Sequence, residues 1–233
     1  VEFPEAPLTA EELSAFLDYD TCKVANAIES LRIRLRNEGF TAPGLRCVTG
    51  GFPGIIGYAV TSRVRCADPP WQGTAPHELV GWWEVLQTRP LPHVVVIEDV
   101  DEEPGRGAVL SNLHAEVLRA LGCVGVVTNG AVRNIGLLAE MRFPAFACHV
   151  TMSHAYVHMV EYGQPVEILG LPIAPSDLIY ADTHGMLSIP VKHARDILRV
   201  TRGRVSRESQ IIDFCRSNAF NFEELRRRIR ILE

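Results

Sequence analysis

Long apolar runs are missing from this 233-residue chain. None approaches the roughly 18 residues of a membrane span, so no membrane partner is expected. No signal-peptide pattern opens the residues at hand. Runs of one charge sign are missing as well. With 23 Lys and Arg against 28 Asp and Glu, the formal net charge is -5, which makes nucleic acid a poor candidate partner on bulk electrostatics. The six cysteines, at positions 22, 47, 66, 123, 148 and 215, include no CxxC spacing. They read as reduced thiols of a cytoplasmic protein, not as a disulfide frame or zinc ribbon.

Several catalytic signatures are lacking too. There is no G-x-S-x-G, and Gly50-Gly51-Phe52-Pro53-Gly54 lacks the Gly-Lys-Ser/Thr ending of a phosphate loop, so a turn is expected there. His154 and His158 would share a helix face with His149 just upstream, yet no His-Glu-x-x-His arrangement accompanies them, and interface or satisfied histidines are expected. Cys148 and His149 adjoin in a strand pattern, which sends their side chains to opposite faces and builds no Cys-His nucleophile. Arg226, Arg227, Arg228 and Arg230 stand beside Glu223, Glu224 and Glu233, the pattern of a solvated helix face more than of an RNA contact.

What is present is a 47% hydrophobic composition, enough for one substantial core. Thr9-Ala10-Glu11-Glu12 has capping-box spacing and starts a short helix near Ala10. A second helix is expected from Thr21 to Glu38, with Val24, Ile28, Leu31 and Leu35 as its face and Gly39 as its stop. Strands are expected at Ile55–Val64, Val94–Ile97, Val124–Thr128, Ala145–Cys148, Val166–Leu169, Leu178–Ala181 and Met186–Ile189. Helices are expected at His77–Leu86, where adjacent Trp82 and Trp83 suit packing or an interface, and at Val109–Leu121, stopped by Gly122. Asn129-Gly130 reads as a turn. The alternation indicates an α/β layered domain over residues 1–190, including the N-terminal helices. After Pro190 the pattern becomes helical, roughly 191–202, 206–217 and 221–231. The helical extension 191–233 should pack on the domain or on a neighbouring subunit.

The most informative stretch is Ser111-Asn112-Leu113-His114, followed after Val132 by Arg133-Asn134. With Ile56-Gly57-Tyr58-Ala59-Val60-Thr61, the strand ending at Asp99, and Pro175-Ser176-Asp177 through Asp182, Gly185 and Pro190, it resembles the RraA-like family. That family comprises regulators of ribonuclease activity A and the 4-hydroxy-4-methyl-2-oxoglutarate aldolases. The resemblance implies an α/β/α fold related to phosphohistidine swivelling domains, assembled as homotrimers or as hexamers with sites at subunit boundaries.

In the metal-dependent aldolases of the family, an Asp is followed, after twenty residues, by Arg-Asp; here Asn112 and Arg133-Asn134 occupy those places. By resemblance, Ser111, Asn112, Leu113 and His114 form the substrate-facing loop, and Arg133 clamps a carboxylate. Free N–H groups at a helix start suit an anion, and a guanidinium grips a carboxylate bidentately. Asn134 falls where the metal ligand stands, and Asn112 where the second Asp supports metal-bound water. An amide brings no negative charge, so a divalent Mg²⁺ or Mn²⁺ would be weakened. Asn129 and His184 likewise stand where acidic residues are frequent, and Glu208 is the nearest match to a glutamate donated by another subunit.

The residues also have plainer roles: Asn134 as N-cap ahead of Ile135–Met141, Asn112 as a helix start, Arg133 as a surface arginine, Glu208 as a solvated helical side chain. Two functions stay open. One is a lyase for small 2-oxo acids working through a pyruvate enolate, of the aldolase or oxaloacetate decarboxylase type, with metal-independent chemistry using His114 or His184 as base as a variant. The other is a non-catalytic binding or regulatory protein with a protein partner.

Overall fold

The computed structural model describes residues 8–70 and 75–230. Thr9 and Glu12 close the expected capping box over helix α1 (Ala10–Ser14). Asp20 accepts from the Lys23 N–H to cap α2 (Thr21–Ser30). Helix α2 stops eight residues short of Glu38, because Leu31 caps it and Arg32 turns left-handed at φ 53°. Beyond it, Leu31, Ile33 and Leu35 alternate with arginines, a pattern with no helical face, and the chain runs through turns and bends. Arg34 Nη1 anchors that stretch by donating to the Ser188 carbonyl at 2.9 Å.

The remaining elements follow in chain order: β1 (Arg46–Cys47), β2 (Ile55–Arg65), α3 (Ala75–Gln87), β3 (His93–Asp99), β4 (Ala108–Leu110), α4 (Asn112–Ala120), β5 (Cys123–Val132), α5 (Ile135–Glu140), β6 (Ala145–Val150), β7 (His158–Tyr162), β8 (Val166–Ile168), β9 (Leu171–Ile173), β10 (Leu178–Asp182), β11 (Gly185–Ile189), α6 (Ala194–Arg216) and α7 (Phe222–Ile229). Among the described residues, nine strands form one mixed, nearly closed sheet in the order β1-β6-β5-β3-β2-β10-β11, with β4 beside β5 and β7 beside β2. Strands β6, β5, β3 and β2 run parallel to their neighbours in this series, whereas β1, β7, β10 and β11 pair antiparallel.

Side-chain alternation along the strands separates the core layers. Val95 and Ile97 face Trp82, Leu86, Ala115, Leu118 and Leu138 under α3, α4 and α5, while Val94 and Val96 face the β8–β9 ribbon. Near the antiparallel edge, Tyr58, Tyr180 and Leu187 pack against α1, α2 and the buried first turns of α6. This is the expected α/β class with helices at its C-terminal end.

Several local expectations change. Val109 and Leu110 belong to β4, not to a helix, because both are buried in the sheet beside β5; helix α4 begins at Asn112. The expected break between helices near residue 203 does not occur, since α6 runs unbroken through Gly203. Residue 231, the expected end of the last helix, lies outside the described residues. His154 sits in a turn and His158 opens β7, so the two share no helix. Asn129-Gly130 makes no turn either. Strand β5 continues to Val132 with a register shift between Thr128 and Ala131.

That shift has a visible cause. The Asn129 amide lies against β3, where Oδ1 accepts from the Asp99 N–H at 2.7 Å and Nδ2 donates to the Asp99 carbonyl at 2.9 Å. Gly130 suits this position, because a Cβ would stand only 3.0 Å from the Asp99 Cβ and would press on it. Asn129→Ala removes both hydrogen bonds and leaves two backbone groups of a central strand to find other partners. The expected cost is about 1–3 kcal/mol in urea unfolding; an unchanged midpoint would show that the shift does not depend on this amide.

Candidate functional site

The parallel strands β3, β5 and β6 place their carboxyl ends on one side of the sheet, the position where open α/β sheets gather ligands. Ser111 directly follows β4 in extended conformation and offers no side-chain hydrogen bond to the start of α4. The first backbone bond of α4 runs from Ala115 to the Ser111 carbonyl. The N–H groups of Asn112, Leu113 and His114 therefore have no acceptor among the described residues. Three free donors at the positive end of a nine-residue helix favour an anion.

Arg133 lies against this helix start. Its backbone N–H donates to the Leu110 carbonyl at 3.0 Å, one residue before Ser111. Its guanidinium is steered by two contacts: Nε donates to Asn134 Oδ1 at 3.0 Å and Nη1 to the Met152 carbonyl at 3.2 Å. Nη2 carries no partner among the described residues and remains available.

Asn134 occupies the N-cap position of α5 but does not cap it with its side chain; it stands left-handed at φ 55°. Asn tolerates that conformation better than most residues. The amide oxygen that would face a cation thus faces a guanidinium.

His114, on the first turn of α4, approaches His154 with ring centroids 6.1 Å apart. His154 Nδ1 lies 2.8 Å from the Ala108 carbonyl, which only accepts, so Nδ1 carries the proton and Nε2 is left as acceptor in the neutral ring. Burial holds the His114 pKa below the ordinary imidazole value, and the His154 and Arg133 charges push in the same direction. The pairing of His154 with His114 had no local signal in the sequence, because it depends on the 151–157 turn docking beside β4 through the Ala108 N–H to Ser153 carbonyl bond of 2.8 Å.

The structure thus brings Ser111, Asn112, Leu113, His114, Arg133 and Asn134 together and adds His154. It does not bring His184, which sits between β10 and β11 with its ring on Asp182 at 3.2 Å. Glu208 is also apart: it lies on α6, which packs on α2 and α7, and its nearest charge partner is Arg204 at 3.9 Å.

The donors at this site do not fit a resident Mg²⁺ or Mn²⁺. Both motif positions are amides, one already holding Arg133, and such ions favour carboxylates. Among the described residues, the His, Cys, Asp and Glu side chains converge in a group of three elsewhere, at Cys66, Asp99 and Asp101. That cluster braces a loop: Asp99 accepts from the Asp101 and Gly105 N–H groups, and Asp101 from those of Cys66 and Ala67. Burial and the neighbouring Asp99 and Asp101 carboxylates push the Cys66 thiol up to about 12.

Taken together, these features define an α/β protein that gathers a guanidinium, two imidazoles and unpaired helix-start N–H groups at the carboxyl ends of its parallel strands. The chain belongs to the RraA-like family, described as Aldolase/RraA, whose profile matches residues 21–187.

A Halalkalibacterium halodurans protein provisionally named a 4-hydroxy-4-methyl-2-oxoglutarate aldolase is 28% identical over 109 residues, covering 46% of this chain and 51% of that protein. The chain therefore matches about half the length of that relative. Among solved structures, an uncharacterized protein from Pseudomonas syringae pv. tomato covers 97% of both chains with a TM-score of 0.75 and 22% identity. Streptomyces coelicolor RraAS2, an unusual member of the RNase ES inhibitor RraA protein family, covers 88% of this chain and 97% of its own with a TM-score of 0.69 and 20% identity. At these identities the structural matches establish the fold.

The site electrostatics are open to direct measurement. With its folded-state pKa lowered, His114 costs no stability at alkaline pH. It costs progressively more as pH falls through the unfolded imidazole value of about 6.5. In an NMR titration, Arg133→Gln or His154→Gln should each raise the His114 pKa toward that value, because each removes a group that pushes it down. A value unmoved in both variants would leave burial as the whole cause.

Proposed function

We propose that this protein is a lyase for small 2-oxo acids that works through a pyruvate enolate without a tightly held metal. The observation that carries this is the oriented, partly free Arg133 guanidinium beside three unpaired N–H groups of α4. Arg133 Nη2 and the helix start receive the C1 carboxylate and the C2 oxygen. As the bond between C3 and C4 breaks, its electron pair moves into the enolate, and the charge growing on the C2 oxygen meets preorganised donors. His114, kept neutral chiefly by burial, takes the proton of the C4 hydroxyl and returns it to C3. Oxaloacetate decarboxylation passes through the same enolate with carbon dioxide as the other product. The relative named as an aldolase supports the reaction class. Divalent ions would at most bind weakly at Asn134, and Glu208 would enter only from another subunit.

A second reading, a binding or regulatory protein on the same scaffold, is favoured by the apolar rim of the site. Leu113 is 67% and Met152 89% exposed, with Ile135, Leu137 and Val150 also exposed nearby. Under the lyase reading this rim is where copies of the chain assemble into a trimer or hexamer. Under the regulatory reading it receives a protein partner, as the inhibitor named among the structural relatives suggests.

Pyruvate release from 4-hydroxy-4-methyl-2-oxoglutarate and oxaloacetate, assayed with Mg²⁺, Mn²⁺ or EDTA, separates these outcomes. Turnover should persist in EDTA, and Arg133→Gln should lose about tenfold to a hundredfold in kcat/KM. Asn112→Asp/Asn134→Asp should acquire metal dependence. Abolition of wild-type turnover by EDTA would overturn the metal-free mechanism. Absence of both turnover and pyruvate binding would transfer the protein to the regulatory reading.

Light scattering should give a trimeric or hexameric mass, and Leu113→Lys/Met152→Lys should reduce it to that of the monomer. An unchanged mass in the double variant would remove the rim from the assembly surface.

A further inference from the structure

At the amino ends of the parallel strands, the pole opposite Arg133, lies a groove of about 720 Å³. Small-molecule sites have volumes of about 300–1,000 Å³. The lining passes from Leu13 of α1 over Ile55 of β2, Pro92 just ahead of β3 and Val124 of β5 to Pro144 just ahead of β6. These four strands are successive neighbours in the sheet, so at a spacing of about 4.8 Å the floor is about 14 Å long. The wall is mainly apolar and, among the described residues, includes no Asp or Glu. Leu91 is 63% exposed at its side and lies against Gly122, where a Cβ would collide with the Leu91 Cδ2.

Two arginines, Arg119 and Arg142, bring positive charge to this lining. They differ in what they already hold. Arg119 is engaged, with Nη1 donating to the Met141 carbonyl at 2.8 Å and Nη2 to Glu116. Arg142 follows that carbonyl directly in the chain, and its guanidinium has no partner among the described residues. Its backbone stands left-handed at φ 53° in a Schellman-type end to α5. There its own N–H donates to the Ala139 carbonyl and the Phe143 N–H to the Leu138 carbonyl, both at 2.9 Å. Glycine is the usual residue at such a position, so the backbone gains nothing from an arginine, and the side chain is what the position adds to the groove.

We infer that this groove is a second ligand site, taking a medium-chain alkyl carboxylate whose chain lies along the apolar floor and whose carboxylate is held by Arg142. The inference is independent of the reading of the Arg133 site. Charge complementarity carries it: an unengaged guanidinium on a wall without acidic side chains calls for one anionic group, and a carboxylate matches it with two parallel hydrogen bonds. Length and polarity fix the rest of the ligand. A compact anion would leave the floor uncovered, whereas an extended alkyl chain removes both its own surface and that of the floor from water.

Isothermal titration calorimetry of the full chain tests this, with decanoate as probe and decyltrimethylammonium as the probe of equal chain length and opposite charge. Decanoate should bind with a Kd of about 1 mM or tighter, as roughly a dozen heavy atoms allow, and with the negative heat-capacity change of apolar burial. Decyltrimethylammonium should bind at least about tenfold more weakly. Arg142→Gly should lower the decanoate affinity about tenfold without lowering the thermal midpoint, because glycine suits the left-handed backbone there. Leu91→Asp, a change at an exposed side chain, should abolish saturable decanoate binding.

Equal affinity for the two probes, or an undiminished decanoate affinity in Arg142→Gly, overturns the assignment of the carboxylate to Arg142. Undiminished affinity in Leu91→Asp puts the ligand outside the groove and overturns the site, as does the absence of saturable decanoate binding by the wild type. If neither protein binds decanoate and the mass measured by light scattering falls in Leu91→Asp, the groove is a contact between copies of the chain and not a ligand site.

Discussion

Two hydrogen bonds between the Asn129 amide and the Asp99 backbone hold the point where β5 changes register, and the site hangs from that point. Beyond it, β5 lies beside β4 on one side and β6 on the other, and Arg133 emerges at its end with its N–H on the Leu110 carbonyl. The same stretch sets Asn134 left-handed and starts α5. Moving the register by one residue would exchange the two faces of the strand and carry these side chains away from α4.

The electrostatic balance around that strand end is unusual for a site whose family pattern holds two carboxylates. Amides at 112 and 134 remove two negative charges, while the helix start, Arg133 and two imidazoles remain. The result favours an anion and opposes a cation. It also holds the His114 pKa below the ordinary imidazole value. Asn134 takes part in this balance, because its oxygen accepts from the Arg133 guanidinium and orients it.

The parts of the fold legible from the residues were those with strong local periodicity or capping chemistry. Thr9 with Glu12, the apolar run of β3, and the paired strands β10 and β11 lie where expected. Misplaced boundaries fall where a tertiary contact outweighs local preference. Val109 and Leu110 pair with β5 instead of entering a helix, Arg34 ties down the stretch after α2, and Gly203 is carried inside a continuous helix. The Asn-Gly pair has turn chemistry, yet neighbouring β3 offered it a backbone to bind, and the strand continued.

By itself, the sequence determined the family, the α/β class and which residues, 111–114 and Arg133, make up the candidate site. These depend on residue types and spacings that the chain carries with it. Only the tertiary structure decided what surrounds that stretch. His154 reaches His114 through a turn more than thirty residues away, and Asn134 turns to Arg133. Contacts between residues distant in the chain leave no periodic trace in it, because they are set by how sheets and helices close on one another.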